Sequence, residues 1–83
     1  MEDTSRLPDA LLRIRAEYVE MPDLKLTARQ VQRLWSLSRE VCDAALGTLV
    51  REGFLVQAPD GSYLRPGVLR ARLRVLDALL GPG

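Results

Sequence analysis

Apolar residues recur every three or four positions in four stretches of this chain, which is the spacing of one face of an α-helix. The first stretch begins near residues 5–8, since Pro8 suits a first helical turn, and it ends at Met21, because the proline that follows disfavours a helix. Its apolar stripe consists of Leu7, Leu11, Ile14, Tyr18 and Met21, with Leu12 and Val19 on the flank. We therefore predict a first helix that packs against the core through this stripe.

Two shorter helices are predicted between residues 27 and 52. Thr27 and Gln30 form a capping box at the start of the first of them, because the threonine hydroxyl can accept from the backbone three residues on while the glutamine side chain reaches back. A tight polar turn at residues 36–38 separates the two helices, with Ser38 as the N-cap of the second and Gly53 as its left-handed end. The apolar faces are Ala28, Val31, Leu34 and Trp35 on one helix, and Cys42, Ala45, Leu46, Leu49 and Val50 on the other.

The hydrophobic spacing then changes from helical to alternating, which is typical of strands. Residues 54–58 and 62–65 are β-rich. The turn between them has a proline that presets φ, an aspartate that caps the bend and a glycine that accepts a positive φ, namely Pro59-Asp60-Gly61. Leu24-Lys25-Leu26 alternates in the same way ahead of the second helix. We predict a β-hairpin after residue 53 and a short strand before residue 27.

A last helix is predicted over residues 68–80, and its apolar arc is broad for so small a domain. One stripe of this arc holds Leu69, Leu73, Leu76 and Leu80. A second set widens the arc and consists of Val68, Val75 and Leu79. We predict that the second set forms the interface of a homodimer. In the alternative, the first and last helices pack against each other and bury the whole arc in a monomer.

The order of these elements resembles the winged helix-turn-helix superfamily. The run from Glu20 to Thr27, followed by Gln30, Arg33-Leu34-Trp35 and Leu37, also resembles small bacterial proteins of this type. The resemblance implies one α+β domain over residues 1–83, in which a three-helix core contains a helix-turn-helix at about 27–52. A wing hairpin at about 54–66 and an appended C-terminal helix at about 68–80 complete it. The chain departs from the family pattern at Ser36, where glycine is commoner, and at Gln32, where a small residue often sits.

Composition excludes several classes of function. Hydrophobic residues make up 47% and charged residues 28%, which is ordinary for a globular protein. With no histidine and one cysteine, Cys42, the chain lacks the usual zinc constellations, histidine-based catalysis and an intramolecular disulfide. It also lacks a nucleophile–base pair and a phosphate-binding glycine loop, so we expect no enzyme activity, no cofactor and no metal.

Two features of the sequence bear on cellular location. No apolar run approaches the ~18 residues of a membrane span. The start, Met1-Glu2-Asp3, lacks the basic region of a signal peptide. We therefore expect a cytoplasmic protein.

Charge is unevenly distributed along the chain. Residues 1–23 carry three arginines against six acids, whereas residues 24–83 carry nine basic residues against five acids. The second helix of a helix-turn-helix enters the major groove, and the adjacent hairpin can reach the backbone or minor groove. Our leading hypothesis is therefore binding of double-stranded DNA by a small transcriptional regulator or accessory DNA-binding protein. The candidate contact residues are Arg29, Arg33, Ser38, Arg39, Thr48, Arg51 and Arg65.

Other residues near this predicted surface favour a different function. Glu40 and Asp43 would repel phosphates, and Gly47 offers almost nothing to a base edge. The tip of the hairpin carries Asp60 and no basic residue. The alternative is a winged helix that serves as a protein-interaction module without binding DNA. In that alternative the exposed arginines are a solvated helix face.

Overall fold

The computed structural model describes residues 6–80, which form four helices and one two-stranded antiparallel hairpin in an α+β arrangement. The elements are α1 (Leu7–Glu20), α2 (Ala28–Trp35), α3 (Arg39–Arg51), β1 (Val56–Gln57), β2 (Tyr63–Leu64) and α4 (Pro66–Leu80). The predicted order of helices and hairpin is confirmed. The last helix, predicted over residues 68–80, begins two residues earlier, at Pro66.

Local caps fix where α2 and α3 begin. Thr27 Oγ1 accepts from the backbone N–H of Gln30 at 3.2 Å, and Gln30 Oε1 accepts from the backbone N–H of Thr27 at 2.8 Å. This reciprocal pair is the predicted capping box. Ser38 Oγ accepts from the backbone N–H of Val41 at 3.1 Å and caps α3. Both helix starts are therefore set by side chains that the sequence identifies.

Left-handed residues end α2 and α3. Ser36 has φ 50° and ψ 46°, and the N–H of Leu37 donates to the carbonyl of Gln32 at 3.0 Å. Gly53, which follows the C-cap residue Glu52 of α3, has φ 79°. In both cases the left-handed residue turns the chain back so that orphan carbonyls of the last turn gain donors. The predicted break between α2 and α3 is confirmed, with serine in the position that usually favours glycine.

The core lies between α1 and α3 and is closed by α2 and the hairpin. Tyr18, fully buried, donates its hydroxyl to the carbonyl of Tyr63 at 2.7 Å and ties α1 to β2. Burial raises the pKa of Tyr18 to about 12. The buried cluster comprises Ala10, Ile14, Tyr18, Leu26, Val31, Val41, Cys42, Ala45, Leu46, Leu49 and Leu55.

Some apolar residues that helical spacing assigns to the core are exposed. Met21, Leu34 and Val50 are 54%, 61% and 37% exposed. Met21 lies beyond the end of α1, and α2, with eight residues, has only Val31 buried. Trp35 is half-buried and packs at the edge of the core. In so small a domain the buried strip of each helix is narrower than its apolar stripe.

The hairpin is shorter than predicted. Its pairs are Val56 with Leu64 and Gln57 with Tyr63, whereas strands were expected over residues 54–58 and 62–65. The N–H groups of Phe54 and Leu55 instead donate to the carbonyl of Leu49. These two residues therefore cap the end of α3 and do not pair in the hairpin. The expected strand before residue 27 is reduced to one antiparallel bridge between Leu26 and Tyr63.

The helix α4 does not bury its apolar arc against α1, as the alternative to a dimer required. It contains no buried residue, and Leu73, Leu76 and Leu80 are 52%, 54% and 82% exposed. That alternative is therefore wrong for the described residues. They extend 54 Å along one axis and 21 Å along the other two, and every residue of α4 from 70 to 80 is exposed.

Candidate nucleic-acid interface

A cleft between α2 and α3 brings together two of the predicted contact residues. Its volume is about 450 Å³, and its lining comprises Ala28, Arg29, Gln32, Arg39 and Asp43. Arg29 lies in the first turn of α2, and Arg39 is the first residue of α3. Their convergence follows from the tight turn at Ser36, which places the start of α3 beside α2. Two guanidinium groups at one cleft can bind the oxygens of a phosphate through several donors.

Arg33 extends the basic surface along α2. It lies one helical turn after Arg29 and is exposed, but it does not line the cleft. Within residues 6–80, neither of these two arginines forms a salt bridge. Both side chains can therefore approach an anion without first breaking an ion pair.

Arg39, by contrast, faces an acid on its own helix. Its Nε lies 3.9 Å from Asp43 Oδ2, and the two side chains are 84% and 63% exposed. An exposed pair of this kind contributes little to stability. Its main effect is to reduce the positive charge of the cleft.

Ser38, Thr48 and Arg51 already make hydrogen bonds within the chain. Ser38 caps α3 as described. Thr48 Oγ1 donates to the carbonyl of Ala44 at 2.8 Å and accepts from Arg51 Nη2 at 3.3 Å. A base edge or phosphate would have to compete with these contacts, so the second half of α3 offers less to DNA than the cleft does.

Gly47 leaves open space on the outer side of α3. A Cβ built at this position would meet only Arg51 Nη1, at the ordinary contact distance of 3.8 Å. Packing within the described chain therefore does not require a glycine here. The position is open to close approach by another molecule.

Arg65 packs at the base of the hairpin. Its guanidinium carbon lies 3.9 Å from the centroid of the Phe54 ring, and its Nη1 donates to the Phe54 carbonyl. Arg15 approaches the same ring at 5.2 Å and forms an ion pair with Glu52. Sequence reasoning missed this cluster, because no periodicity or motif marks a contact between α1 and the segment after α3.

Lys25 partly neutralises the negative charge of Asp60 at the tip of the hairpin. Lys25 Nζ lies 3.0 Å from Asp60 Oδ2, and the hydroxyl and N–H of Ser62 donate to Asp60 Oδ1 at 2.6 and 3.0 Å. The hydroxyl of Ser62, then its N–H and Lys25, lower the pKa of Asp60 below its usual range. The predicted capping role of this aspartate is confirmed, and its ion pair with Lys25 was not foreseen.

Within residues 6–80, the structure contains no group of three or more His, Cys, Asp or Glu side chains that could hold a metal ion. Cys42 is buried, and its thiol donates to the carbonyl of Ala28 at 3.4 Å. Burial, followed by the charge of Asp43, raises the pKa of Cys42 to about 11, so the reactive thiolate is scarce at neutral pH.

Over the same described stretch, each helix is too short or too polar to cross a membrane. Comparisons with protein-family models, with curated proteins and with solved structures found no match.

Proposed function

We propose that this chain is a winged helix protein that binds double-stranded DNA, as a small transcriptional regulator or accessory DNA-binding protein. In this proposal α2 and α3 are the helix-turn-helix and the β1–β2 hairpin is the wing. The supporting observation is the cleft at which Arg29 and Arg39 converge, with Arg33 one turn further along α2. A phosphate backbone crossing α2 would meet all three side chains.

The expected binding is mainly electrostatic. Arg29, Arg33 and Arg39 supply charge for phosphate contacts, which fix position but carry no sequence information. The rest of α3 contributes few groups that distinguish bases, since the side chains of Thr48 and Arg51 form a hydrogen bond with each other. We therefore expect binding that tolerates many sequences and weakens steeply as salt increases.

The test is a titration of the protein with random duplex DNA over a series of salt concentrations. The double variant Arg29→Ala with Arg33→Ala should lower affinity for every sequence and flatten the slope of log affinity against log salt by about 2. The matched control is Arg6→Ala with Arg13→Ala, which removes the same charge from α1 and the residue before it, where Arg13 is already 3.1 Å from Asp9. Unchanged binding in the α2 variant, or no binding by the parent protein at low salt, would refute the proposal.

A second variant should improve binding. Asp43→Asn removes the carboxylate that faces Arg39 and lines the same cleft. If phosphate enters this cleft, affinity should rise several-fold and the salt dependence should steepen. A loss of affinity would show that Asp43 contacts the ligand directly and that the cleft does not receive an anion.

One observation favours a second candidate function, a protein-interaction module. Glu40 and Asp43 on the outer strip of α3 would repel phosphates, whereas the open position at Gly47 lets another protein surface approach closely. If the chain is a protein-interaction module, the parent protein shows no salt-dependent DNA binding, and the Asp43→Asn variant does not bind DNA either. Gly47→Ala should then weaken partner binding while raising helix stability by about 1 kcal/mol.

A further inference from the structure

We propose that α4 pairs with α4 of a second copy of this chain as a short antiparallel coiled coil, about a two-fold axis that passes beside Arg74 and Val75. The described residues leave uncovered a leucine stripe on α4 that consists of Leu69, Leu73, Leu76 and Leu80. Leu73, Leu76 and Leu80 are 52%, 54% and 82% exposed, and Leu69 is half-buried. This pairing is independent of DNA binding.

The spacing of the leucines fits a two-helix seam. Leu69, Leu73, Leu76 and Leu80 follow one another at intervals of four, three and four residues, which is the a and d pattern of a heptad repeat. In an antiparallel pair an a position faces a d position of the other helix. Leu73 then packs against the partner's Leu76, and Leu69 against the partner's Leu80. Every leucine of the stripe is matched, because the pattern reads the same in both directions.

The charges on either side of the stripe agree with this register. Asp77 is the one acidic residue of α4, and Arg70 lies seven positions before it. With Leu69 and Leu76 at d positions and Leu73 and Leu80 at a positions, Arg70 and Asp77 both occupy e positions. In an antiparallel pair the e positions of the two helices face each other. Arg70 therefore faces the partner's Asp77, and Asp77 faces the partner's Arg70. The two-fold axis produces this ion pair twice.

A parallel pairing is less compatible with the shape of the molecule. It would place both bodies at the same end of two helices whose axes are about 8–10 Å apart. The described chain is 21 Å across its two shorter axes, so the bodies would crowd each other at that end. The antiparallel arrangement places them at opposite ends. The two arrangements also differ in charge pairing, since a parallel pair would bring Asp77 to the partner's Arg72.

This interface differs from the one expected from sequence, which used Val68, Val75 and Leu79. Val68 and Val75 line a cleft of about 560 Å³ together with Asp23 from the loop after α1, and this cleft adjoins the leucine stripe at Leu76. Leu79 lies at the edge of the stripe, where the antiparallel register brings it near the partner's Arg72. The stripe itself is therefore the centre of the interface, and the three predicted residues are at its margins or outside it.

The first test is the mass of the full-length protein by sedimentation equilibrium over micromolar to millimolar concentration. The parent should change from monomer to dimer, and Leu73→Glu should remain a monomer. Leu12→Glu is the matched control, since Leu12 is 68% exposed on α1, and it should dimerise like the parent. Leu79→Glu should also dimerise, because its carboxylate would face the partner's Arg72. A parent that stays monomeric throughout, or a Leu73→Glu variant that still dimerises, overturns the proposal.

The second test determines the register. Arg70→Asp and Asp77→Arg each place like charges opposite each other twice, so each variant alone should self-associate about ten-fold more weakly than the parent. A mixture of the two variants restores both ion pairs and should form a heterodimer with parent-like affinity. If Asp77→Arg is rescued by Arg72→Asp and not by Arg70→Asp, the pairing is parallel and the proposal is wrong. Circular dichroism of each variant verifies that the helices remain folded.

Discussion

Phe54 lies between two guanidinium groups, and this contact changes the role expected for Arg65. Arg65 stacks on the ring at 3.9 Å and also donates to the Phe54 carbonyl. A cation held over an aromatic face and a bond to a backbone oxygen both stabilise the native state. Arg65 therefore holds the base of the hairpin in place, whether or not it also contacts DNA.

We predict that Arg65→Ala lowers the free energy of unfolding by about 1–2 kcal/mol, measured by urea denaturation. The free energy of unfolding of Arg65→Lys should lie between those of the parent and of Arg65→Ala, because an ammonium group cannot stack flat on the ring as a guanidinium does. Arg74→Ala, an exposed arginine on α4 that takes no part in the proposed Arg70–Asp77 ion pairs, is the control and should leave stability within about 0.5 kcal/mol of the parent. Equal stability of the Arg65→Ala variant and the parent would contradict this role.

At the residue scale, sequence reasoning succeeded where a contact is local or periodic. Tyr18 and Cys42 were assigned to the core from helical spacing, and both are fully buried. The ion pairs of Arg15 with Glu52 and of Lys25 with Asp60 join residues far apart in the chain. No local pattern marks such pairs, because only the tertiary fold decides which charged side chains become neighbours.

At the element scale, the turn between α2 and α3 stores local strain. Ser36 occupies the left-handed region, with φ 50°, where the Cβ of an L-residue comes close to the following carbonyl. The surrounding bonds nevertheless require this conformation, since the N–H of Leu37 reaches back to the carbonyl of Gln32. Glycine would adopt it without that steric cost.

We predict that Ser36→Gly raises the free energy of unfolding by about 1 kcal/mol. Ser38→Gly is the matched control two residues away. Ser38 has an extended conformation and accepts from the N–H of Val41, so glycine there should lower stability by a few tenths of a kcal/mol. Thermal or urea denaturation of the two variants measures the difference. If Ser36→Gly is destabilising, the left-handed turn is not the native conformation of this residue.

The helix starts and turns were predictable because each is determined by a few adjacent side chains. The capping box at Thr27 and the glycine after α3 are examples. The lengths of the strands were not predictable in the same way. Phe54 and Leu55 have β-type side chains, but their N–H groups donate to the last turn of α3. Whether these N–H groups bond to a helix end or to a neighbouring strand depends on the tertiary structure. An alternating sequence pattern does not distinguish the two.

At the scale of the whole molecule, the described chain consists of two unequal parts. One is the body, in which α1, α2, α3 and the hairpin share the buried cluster. The other is α4, with 15 residues and no buried side chain. Helices of about this length are marginal in water unless a tertiary contact stabilises them. We therefore expect α4 to be less stable than the body unless its leucine stripe is covered.

We predict that amide hydrogen exchange separates these two parts. In a dilute solution of the full-length protein, amides in the second half of α4 should exchange much faster than those of α3, because they open without disturbing the buried cluster. As the protein concentration rises into the range of dimer formation, protection in α4 should increase, since binding between copies stabilises the helical state by mass action. Protection in the centre of α3 should change far less over the same range.

Leu73→Glu provides the control for this measurement. It should leave exchange in α3 unchanged and remove the concentration dependence in α4, whereas Leu12→Glu should behave as the parent does. Strong protection of α4 in dilute solution, equal to that of α3, would contradict the separation, because it would require α4 to be stabilised by the body of its own chain. Protection that rises with concentration in the parent and stays low in Leu73→Glu would instead locate the missing stabilisation of α4 at the leucine stripe of a second copy.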